Sequence, residues 1–418
     1  MNEYADLLII GAGPAGMSAA LAAASSGARI IVLDDNPLPG GQIWRDGPQA
    51  KVPNQARQMR ERLHANHHIR HHGGTRVIAC SGPKQLLVED ADHGWLIGYD
   101  KLILCTGARE LLLPFPGWTL PGVTGAGGLQ ALIKGGLPVQ DQRVVIAGSG
   151  PLLLASAATA KHSGADVLRI AEQASSSAVA AFALQLPRWP GKLVQSFSLF
   201  DRHYRTGSYV VAALGNERLE GVRLRQQGNI VELACDRLAC GFGLIPNTQL
   251  GQALGCALDG TALAVDAWQT TGQADHYAAG ECTGFGGSEL ALVEGAIAGH
   301  AAVGNIAAAR QLRPRRARWQ GFAKALNRAF SLDPQLKSLA QADTLVCRCE
   351  DVPYAALASH VDWRTAKLAS RCGMGACQGR VCGGAVQYLF DWQPSAPRPP
   401  FSPARIETLM CLDDTPPA

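Results

Sequence analysis

The apolar positions of this chain fall into short runs that alternate with glycine turns and helical stretches. Leu7 to Ile10 are apolar, residues 11–16 are glycine-rich, and residues 17–25 are rich in alanine. A second apolar run, rich in β-branched residues, follows at 29–33. This order predicts a strand, a turn, a helix and a second strand, the βαβ unit of a parallel sheet.

The same pattern returns at residues 143–170, where an apolar run, a glycine turn, a helical stretch and a second run follow one another. A further strand is predicted over 99–107, and a third strand-to-helix turn over 276–281. Arg313 to Arg318 are predicted to form a charged linker. Two βαβ units on one chain predict an α/β protein with two Rossmann-like dinucleotide-binding domains.

Composition narrows the class of protein. The chain has 418 residues, a net charge of +4 and 17% charged residues, so it has no basic field suited to nucleic acid. The N-terminus shows no signal-peptide pattern, and no apolar run approaches the ~20 residues of a membrane span. Five of the twelve cysteines lie between Cys347 and Cys382, which predicts metal ligation in a reducing cytoplasm.

The first glycine turn carries a dinucleotide-binding pattern. Gly11 permits the tight turn, Gly13 lets the backbone approach a pyrophosphate, and Gly16 allows close packing of helix and strand. Asp34 ends the second strand, where an acidic side chain binds ribose hydroxyls. Strand, turn, helix and terminal acid in this register predict a bound dinucleotide.

The second glycine turn departs from the pattern. Gly148 and Gly150 are in place, but Leu153 stands where the third glycine is required. Glu172, near the end of the second strand, could still hold a ribose. We expect this domain to have lost its nicotinamide site or to bind another nucleotide loosely, and an NAD(P)H site is the alternative.

Two pairs of cysteines near the C-terminus meet the requirements of a tetrahedral thiolate site. Cys347 and Cys349 form one pair, and Cys377 and Cys382 form the other. An iron–sulfur cluster or a zinc ion fits four such ligands. Cys372 is expected to have a packing role. The positive charge expected beside the thiolates comes from Arg348, Arg371 and Arg380.

The layout resembles the glutathione-reductase-like flavoproteins over about residues 5–305. The resemblance rests on the first glycine turn, on Thr106-Gly107-Ala108, on Gly280-Glu281 and on the segment 39–43. It implies FAD in the first domain, although Glu281 stands where aspartate is usual. The FAD-binding residues that it implies are Gly11, Gly13, Pro14, Ala15, Gly16, Asp34, Asp35, Gly41, Gln42, Val77, Thr106, Gly107, Gly280 and Glu281.

The cysteine region resembles bacterioferritin-associated ferredoxin, which implies a [2Fe-2S] cluster. Residues 371–383, together with 39–45 and 148–155, are similar to a narrower family, the α subunits of heteromeric amino-acid dehydrogenases. These include D-hydroxyproline and proline dehydrogenases, opine oxidases and hydrogen cyanide synthase. The family implies a β subunit with its own FAD that oxidises the substrate, and often a small [2Fe-2S] γ subunit.

The sequence therefore predicts an FAD- and [2Fe-2S]-containing electron-transfer subunit of an amine or imino-acid dehydrogenase. A stand-alone NAD(P)H-dependent ferredoxin-type reductase and a non-catalytic zinc- or nucleotide-binding scaffold are the alternatives. The predicted domains are an FAD-binding domain, a degenerate NAD(P)-binding-like domain, a linker, a small helical iron–sulfur domain and an extended tail. Their boundaries are, in that order, 1–112 with 272–310, 113–271, 311–342, 343–386 and 387–418.

Overall fold

The computed structural model describes residues 2–393 and 397–412. The first part of the chain builds a seven-stranded sheet with the order β3-β2-β1-β6-β5-β4, and a late strand, β19, pairs with β6. Its elements are β1 (Asn2–Ile10), α1 (Pro14–Ala23), β2 (Ile30–Asp34), α2 (Asn54–His64), β3 (Ile69–Gly73), β4 (Arg76–Gly82), β5 (Gln85–Glu89) and β6 (Gly94–Leu104). All five residues of β2 are buried because helices and strands cover both faces of the parallel part of the sheet.

The middle of the chain builds a parallel five-stranded sheet with the order β11-β10-β9-β15-β8, and an antiparallel sheet of β12, β13 and β14. Its first elements are β7 (Ala108–Glu110), β8 (Val123–Gly125), α3 (Ala126–Lys134), β9 (Arg143–Gly148), α4 (Leu152–His162), β10 (Asp166–Glu172), α5 (Ser176–Ala183) and α6 (Pro190–Ser198). The remaining strands are β11 (Tyr204–Arg205), β12 (Ser208–Leu214), β13 (Gly221–Gln226), β14 (Asn229–Ala234), β15 (Arg237–Gly241) and β16 (Leu244–Pro246). Strands β7 and β16 pair as an antiparallel ribbon between the two sheets.

The chain then returns to the first sheet. The elements of this return are α7 (Gln249–Ala253), β17 (Leu258–Asp259), β18 (Ala262–Leu263), β19 (His276–Ala278), α8 (Gly287–Ala302) and α9 (Ile306–Ala329). Helix α8 crosses α1 at very short distance, because a Cβ on Gly295 would lie 2.1 Å from the Ala15 carbonyl oxygen. A Cβ on Gly299 would lie 2.2 Å from the Ala19 oxygen. These two glycines hold α8 directly behind the first glycine turn.

The first part of the predicted linker at 311–342 is helical, because residues 306–329 form one continuous helix, α9. The arginines of 313–318 lie within this helix, with Pro314 in its interior. Arg316 reaches the buried carboxylate of Glu294 on α8, with an N–O distance of 3.2 Å. A cluster of charge that suggests a flexible segment is thus anchored by a buried acid and by packing of α9 on α8.

The C-terminal part is a small helical unit with its own core of Val346, Val352, Leu357, Trp363 and Val386. Its elements are β20 (Leu345–Cys347), β21 (Val352–Pro353), α10 (Tyr354–Ala358), α11 (Trp363–Ser370), α12 (Cys382–Phe390) and α13 (Ile406–Met410). Helix α12 runs past the predicted boundary at 386, and α13 packs on the first sheet, so the tail is not extended throughout. Residues 394–396 and 413–418 of that tail lie outside the described residues. Among the described helices, none combines the length and the apolar character that crossing a bilayer requires.

Candidate functional site

The first glycine turn is packed so tightly that only glycine fits at two of its positions. Gly11 has a φ of +104°, and a Cβ there would lie 2.2 Å from the Cys105 carbonyl oxygen. A Cβ on Gly16 would lie 1.7 Å from the Gly11 oxygen. Pro14 and Ala15 open helix α1, whose free N–H groups therefore lie directly at the end of β1. Such a helix N-terminus favours a diphosphate group.

The acid at the end of β2 has a different role from the expected one. Asp34 is 6% exposed, and its Oδ2 accepts a hydrogen bond of 2.5 Å from the Ala12 N–H. Its Oδ1 accepts one of 2.7 Å from the Asn36 N–H. Asp34 therefore braces the glycine turn from behind. Asp35, the next residue, is exposed at the same strand end and is the acid that is accessible to a ribose.

The segment around Gly41 docks on the glycine turn. The Gly40 N–H donates to the Ala12 oxygen at 2.8 Å. A Cβ on Gly41 would lie 3.0 Å from the Gly13 Cα, so the two backbones are in contact. Gln42 is exposed and accepts a hydrogen bond from Arg45. Val77 lies on β4. Two residues before it, the Thr75 N–H donates to the Asp34 backbone carbonyl oxygen at 2.8 Å.

Two further turns complete this region at the ends of β6 and β19. Gly107 has a φ of +65° and faces open space, while Gly280 has a φ of +80° and lies against Ala15. Glu281 follows Gly280, and burial raises the pKa of its carboxyl. Among the described residues its carboxylate takes no side-chain hydrogen bond. The structure thus brings all the predicted segments of the flavin site to one edge of the first sheet, with a backbone cradle that a Cβ would fill.

The second glycine turn accepts its leucine without distortion of the fold. Leu153 is fully buried, and it packs over Gly241 of β15, where a Cβ would lie 3.2 Å from the leucine Cδ2. Residue 148 must itself be glycine, since a Cβ there would lie 1.9 Å from the Gly241 carbonyl oxygen. The space for Leu153 is therefore provided by a glycine on the adjacent strand.

The acid of the second domain is not accessible to a ligand. Glu172 is 0% exposed, and its oxygens accept hydrogen bonds from the N–H groups of Gly150 at 2.7 Å and Ala174 at 2.8 Å. Burial raises the pKa of Glu172 to about 7, although these hydrogen bonds oppose the rise. Like Asp34, Glu172 braces its own turn.

A segment of the chain itself covers the second turn. Ser149 donates from Oγ to the Phe330 oxygen at 2.9 Å, and Phe330 lies over Gly150. Gln173 donates from Nε2 to the Ser331 oxygen at 2.9 Å and accepts from the Asp333 N–H at 3.0 Å. Residues 330–333 therefore pack on the second glycine turn, the element that holds a pyrophosphate in a dinucleotide domain.

The cysteine region brings five thiols together. The sulfurs of Cys347, Cys372 and Cys382 all lie within 4.8 Å of one another, and all three residues are buried. The thiols of Cys349 and Cys377 contact each other next to this group. The loop passes close to Cys349, because a Cβ on Gly375 would lie 2.4 Å from its Cβ. Such a set of soft donors suits an iron–sulfur cluster or zinc.

Local hydrogen bonds tune these thiols. Desolvation opposes ionisation of Cys377, but hydrogen bonds from the Val381 N–H, the Cys349 thiol and the N–H groups of Gly379 and Arg380 outweigh it and lower the pKa of Cys377. Contact with the Cys372 thiol and then burial raise the pKa of Cys382. The backbone N–H of Cys377 lowers the pKa of Cys349, whereas the Cys377 thiol and desolvation raise it, with a net rise.

Of the three arginines expected to offset thiolate charge, one is paired with an acid and two contact neutral groups. Arg371 pairs with Glu350 at 2.7 Å, and Arg348 lies over the Trp118 ring at 5.3 Å. Arg380 donates from Nη2 to the Phe401 oxygen at 2.7 Å. Arg109 also reaches the cysteine loop from outside it, since its Nε donates to the Arg380 carbonyl oxygen at 3.1 Å.

The sequence interpretation missed three features of the site. The sequence predicts a packing role for Cys372, yet its sulfur lies within 4.8 Å of the sulfurs of Cys347 and Cys382. Gln173 and the segment 330–333 carry no motif, and their contact could be found only in three dimensions. Arg109 follows the Thr-Gly turn by two residues, which is the one signal that could have pointed to it.

Comparison with known proteins agrees with this geometry. The pattern of the pyridine nucleotide-disulphide oxidoreductase family matches residues 5–301. An opine oxidase subunit from Rhizobium meliloti is 31% identical, and the match covers 99% of this chain and 89% of that protein. Hydrogen cyanide synthase subunit HcnB from Pseudomonas aeruginosa is 31% identical, with 90% of each chain covered.

Among solved structures, L-proline dehydrogenase from P. horikoshii superimposes with a TM-score of 0.68. The match covers 98% of this chain and 80% of that chain at 19% sequence identity, so it describes the fold alone.

Proposed function

We propose a specific role for this chain within its family. The chain belongs to the pyridine nucleotide-disulphide oxidoreductases. Together with the opine oxidase subunit and HcnB, it belongs to a family of flavoprotein subunits. The chain is a flavin-dependent oxidoreductase. Its proposed role is that of the FAD- and [2Fe-2S]-containing electron-transfer α subunit of a multi-subunit amine or imino-acid dehydrogenase. The substrate, of the D-hydroxyproline, proline, opine or sarcosine type, is oxidised on a partner β subunit with its own FAD.

The flavin site of this proposal uses the residues at the edge of the first sheet. The N–H groups at the start of α1 hold the diphosphate of FAD, and Asp35 binds the adenosine ribose. Gly107 leaves room for close approach of the cofactor, Gly41 lets its segment contact the glycine turn, and Glu281 offers an unpaired carboxylate to the cofactor's hydroxyl groups. FAD, when bound, accepts two electrons and can release them one at a time.

The observation that carries the proposal is the covered turn of the second domain. Residues 330–333 pack on the second glycine turn, and the Glu172 carboxylate accepts hydrogen bonds from the chain's own N–H groups. Both features disfavour a nicotinamide donor in this domain. This supports a partner subunit, and not NAD(P)H, as the source of electrons.

The cysteine group is proposed to hold the [2Fe-2S] cluster through four of its five thiols. Cys347, Cys349 and Cys377 supply three of the ligands. The fourth ligand is Cys382, as the sequence predicts, or Cys372, because the sulfurs of both lie within 4.8 Å of the Cys347 sulfur and of each other. A small [2Fe-2S] γ subunit is the proposed further partner.

An anaerobic visible spectrum of the chain, purified with its co-expressed neighbours, tests the function. D-hydroxyproline, L-proline, sarcosine and NADH are added in turn. Flavin and iron–sulfur bands that bleach with an amine, and not with NADH, support the proposal. Rapid bleaching by NADH instead identifies a nicotinamide-dependent reductase, and a colourless protein that contains zinc identifies a scaffold.

Alanine substitution of each clustered cysteine tests the ligand set. We expect C347A, C349A and C377A to lose iron and acid-labile sulfide, because a three-thiolate site cannot complete the cluster's ligation. Of C372A and C382A, one keeps the cluster and the other loses it. C80A is the matched control, since Cys80 lies on β4. Loss of iron from both or from neither of C372A and C382A contradicts this assignment of the fourth ligand.

A further inference from the structure

The cysteine region and the first domain meet at the ribbon of β7 and β16. Gly384 of α12 lies against this ribbon, because a Cβ there would lie 2.0 Å from the Ile245 Cδ1 and 3.3 Å from the Leu111 Cδ1. The contact leaves no room for a side chain. Cys382, one of the five clustered cysteines, is the first residue of α12. The cysteine cluster is therefore held at a fixed place against the ribbon.

Arg109 of β7 spans this contact with its guanidinium group. Its Nε donates to the Arg380 carbonyl oxygen at 3.1 Å, and Arg380 lies in the loop between Cys377 and Cys382. Its Nη1 donates to the Asn247 Oδ1 at 3.0 Å and lies 3.4 Å from the Pro246 oxygen. Burial lowers the pKa of Arg109, but a guanidinium group stays protonated in proteins.

All the acceptors of Arg109 are neutral, and it takes part in none of the ion pairs found between described residues. Its positive charge is therefore not cancelled locally. A partly buried, uncompensated cation acts at longer range than an exposed one, because less solvent screens it.

The other end of this path is the turn proposed to contact FAD. The Asn247 N–H donates to the Gly107 oxygen at 2.9 Å, and its Nδ2 donates to the Thr106 oxygen at 3.0 Å. The Thr106 Oγ1 donates a hydrogen bond of 2.5 Å to the Asn247 backbone carbonyl oxygen. An unbroken series of hydrogen bonds thus joins the loop of Cys377 and Cys382 to Thr106 and Gly107.

We propose that Arg109 is a positioning residue that couples the thiol-bound centre to the flavin. It fixes the cysteine loop against the Thr106-Gly107 turn, and its charge favours the reduced form of the centre beside it. With both cofactors bound, the coupled step would be the transfer of one electron from one centre to the other, with no bond formed or broken. This inference rests on the proposed function, since it requires both centres on the chain.

Two substitutions separate the two effects of Arg109. R109K keeps the positive charge but loses the fork that bonds two acceptors at once. R109Q removes the charge as well. Both variants are to be purified as the full chain with its cofactors, and iron, sulfide and FAD are counted first. R225Q is the matched control, because Arg225 is an exposed arginine on β13.

The measurements are a redox titration of the iron–sulfur signal by electron paramagnetic resonance and the rate of electron exchange between the two centres. We expect both variants to keep iron and FAD, and electron exchange to slow by roughly tenfold in each. In R109Q the equilibrium distribution of electrons also shifts roughly tenfold away from the iron–sulfur centre, whereas R109K keeps the wild-type distribution.

Unchanged exchange and an unchanged distribution in R109Q, with iron and FAD retained, overturn the role of Arg109 alone. Absence of iron or FAD from the wild-type chain overturns the proposed function, and this inference with it. If R109Q slows electron exchange but leaves the distribution of electrons between the two centres unchanged, the proposed effect of the Arg109 charge is overturned.

Discussion

The two glycine turns of this protein share one construction and differ in the residue after the acid. In the first domain Asp34 accepts a hydrogen bond from Ala12, and in the second Glu172 accepts one from Gly150. Each acid therefore braces its own turn. The next residue is Asp35 in the first domain, exposed at the strand end, and Gln173 in the second, which holds the chain's own segment.

The difference teaches that a strand-end acid does not by itself identify a ligand site. Asp34 and Glu172 are both buried and both have their oxygens used by backbone N–H groups. The next side chain decides whether the turn stays accessible or is closed. A glycine motif with a terminal acid can thus survive as a structural unit after its ligand site has been filled.

The largest expected effect comes from a single methyl group in the first turn. In G16A the new Cβ would lie 1.7 Å from a backbone oxygen, so helix and turn must separate. We expect FAD to bind roughly a hundredfold more weakly, because such overpacking costs about 3 kcal/mol. Flavin content after gel filtration and a titration of the apoprotein with FAD measure the effect.

G191A is the control for this substitution, since a Cβ on Gly191 meets nothing within 4 Å. Iron content serves as an internal measure of folding, because the cysteine region has a separate core. G16A protein that keeps its iron and binds FAD as tightly as the wild type would show that the close packing of the first turn is not required.

A smaller effect is expected from the corresponding position of the second turn. Leu153 is fully buried over Gly241, so L153A leaves a cavity and should lower the free energy of unfolding by about 2.5 kcal/mol. FAD content should not change, because the first turn is untouched. The comparison is contradicted if L153A loses FAD, or if it gains binding of NADH.

Much of the first site could be predicted from sequence, because its residues lie in one local pattern. Gly11 and Gly16 are spaced by the geometry of a strand-turn-helix unit, and that geometry is repeated in the structure. The roles of Gly241, Gln173 and Phe330 could not be predicted, since each depends on contact with a residue distant in the chain. Cys372 was missed for the same reason: its spacing fits no pair, and only the fold brings its sulfur to the others.

The smallest expected effect is a pH dependence of stability that arises from Glu172. Its pKa is about 7 in the folded protein against 4.5 for an ordinary glutamate, because burial disfavours the charged form. Between these values the folded state holds a proton that the unfolded state has lost. The stabilisation is therefore complete below pH 4.5 and is lost as the pH rises through 7, by about 2 kcal/mol between pH 5 and 7.

Thermal unfolding midpoints of the wild type and E172Q, measured from pH 5 to pH 7, test this dependence. As the pH rises, the midpoint of the wild type should fall relative to that of E172Q, because glutamine does not titrate. E217Q, at an exposed acid, should follow the wild type at every pH. If E172Q also follows the wild type across this range, Glu172 does not titrate near neutrality and the brace of the second turn is charged.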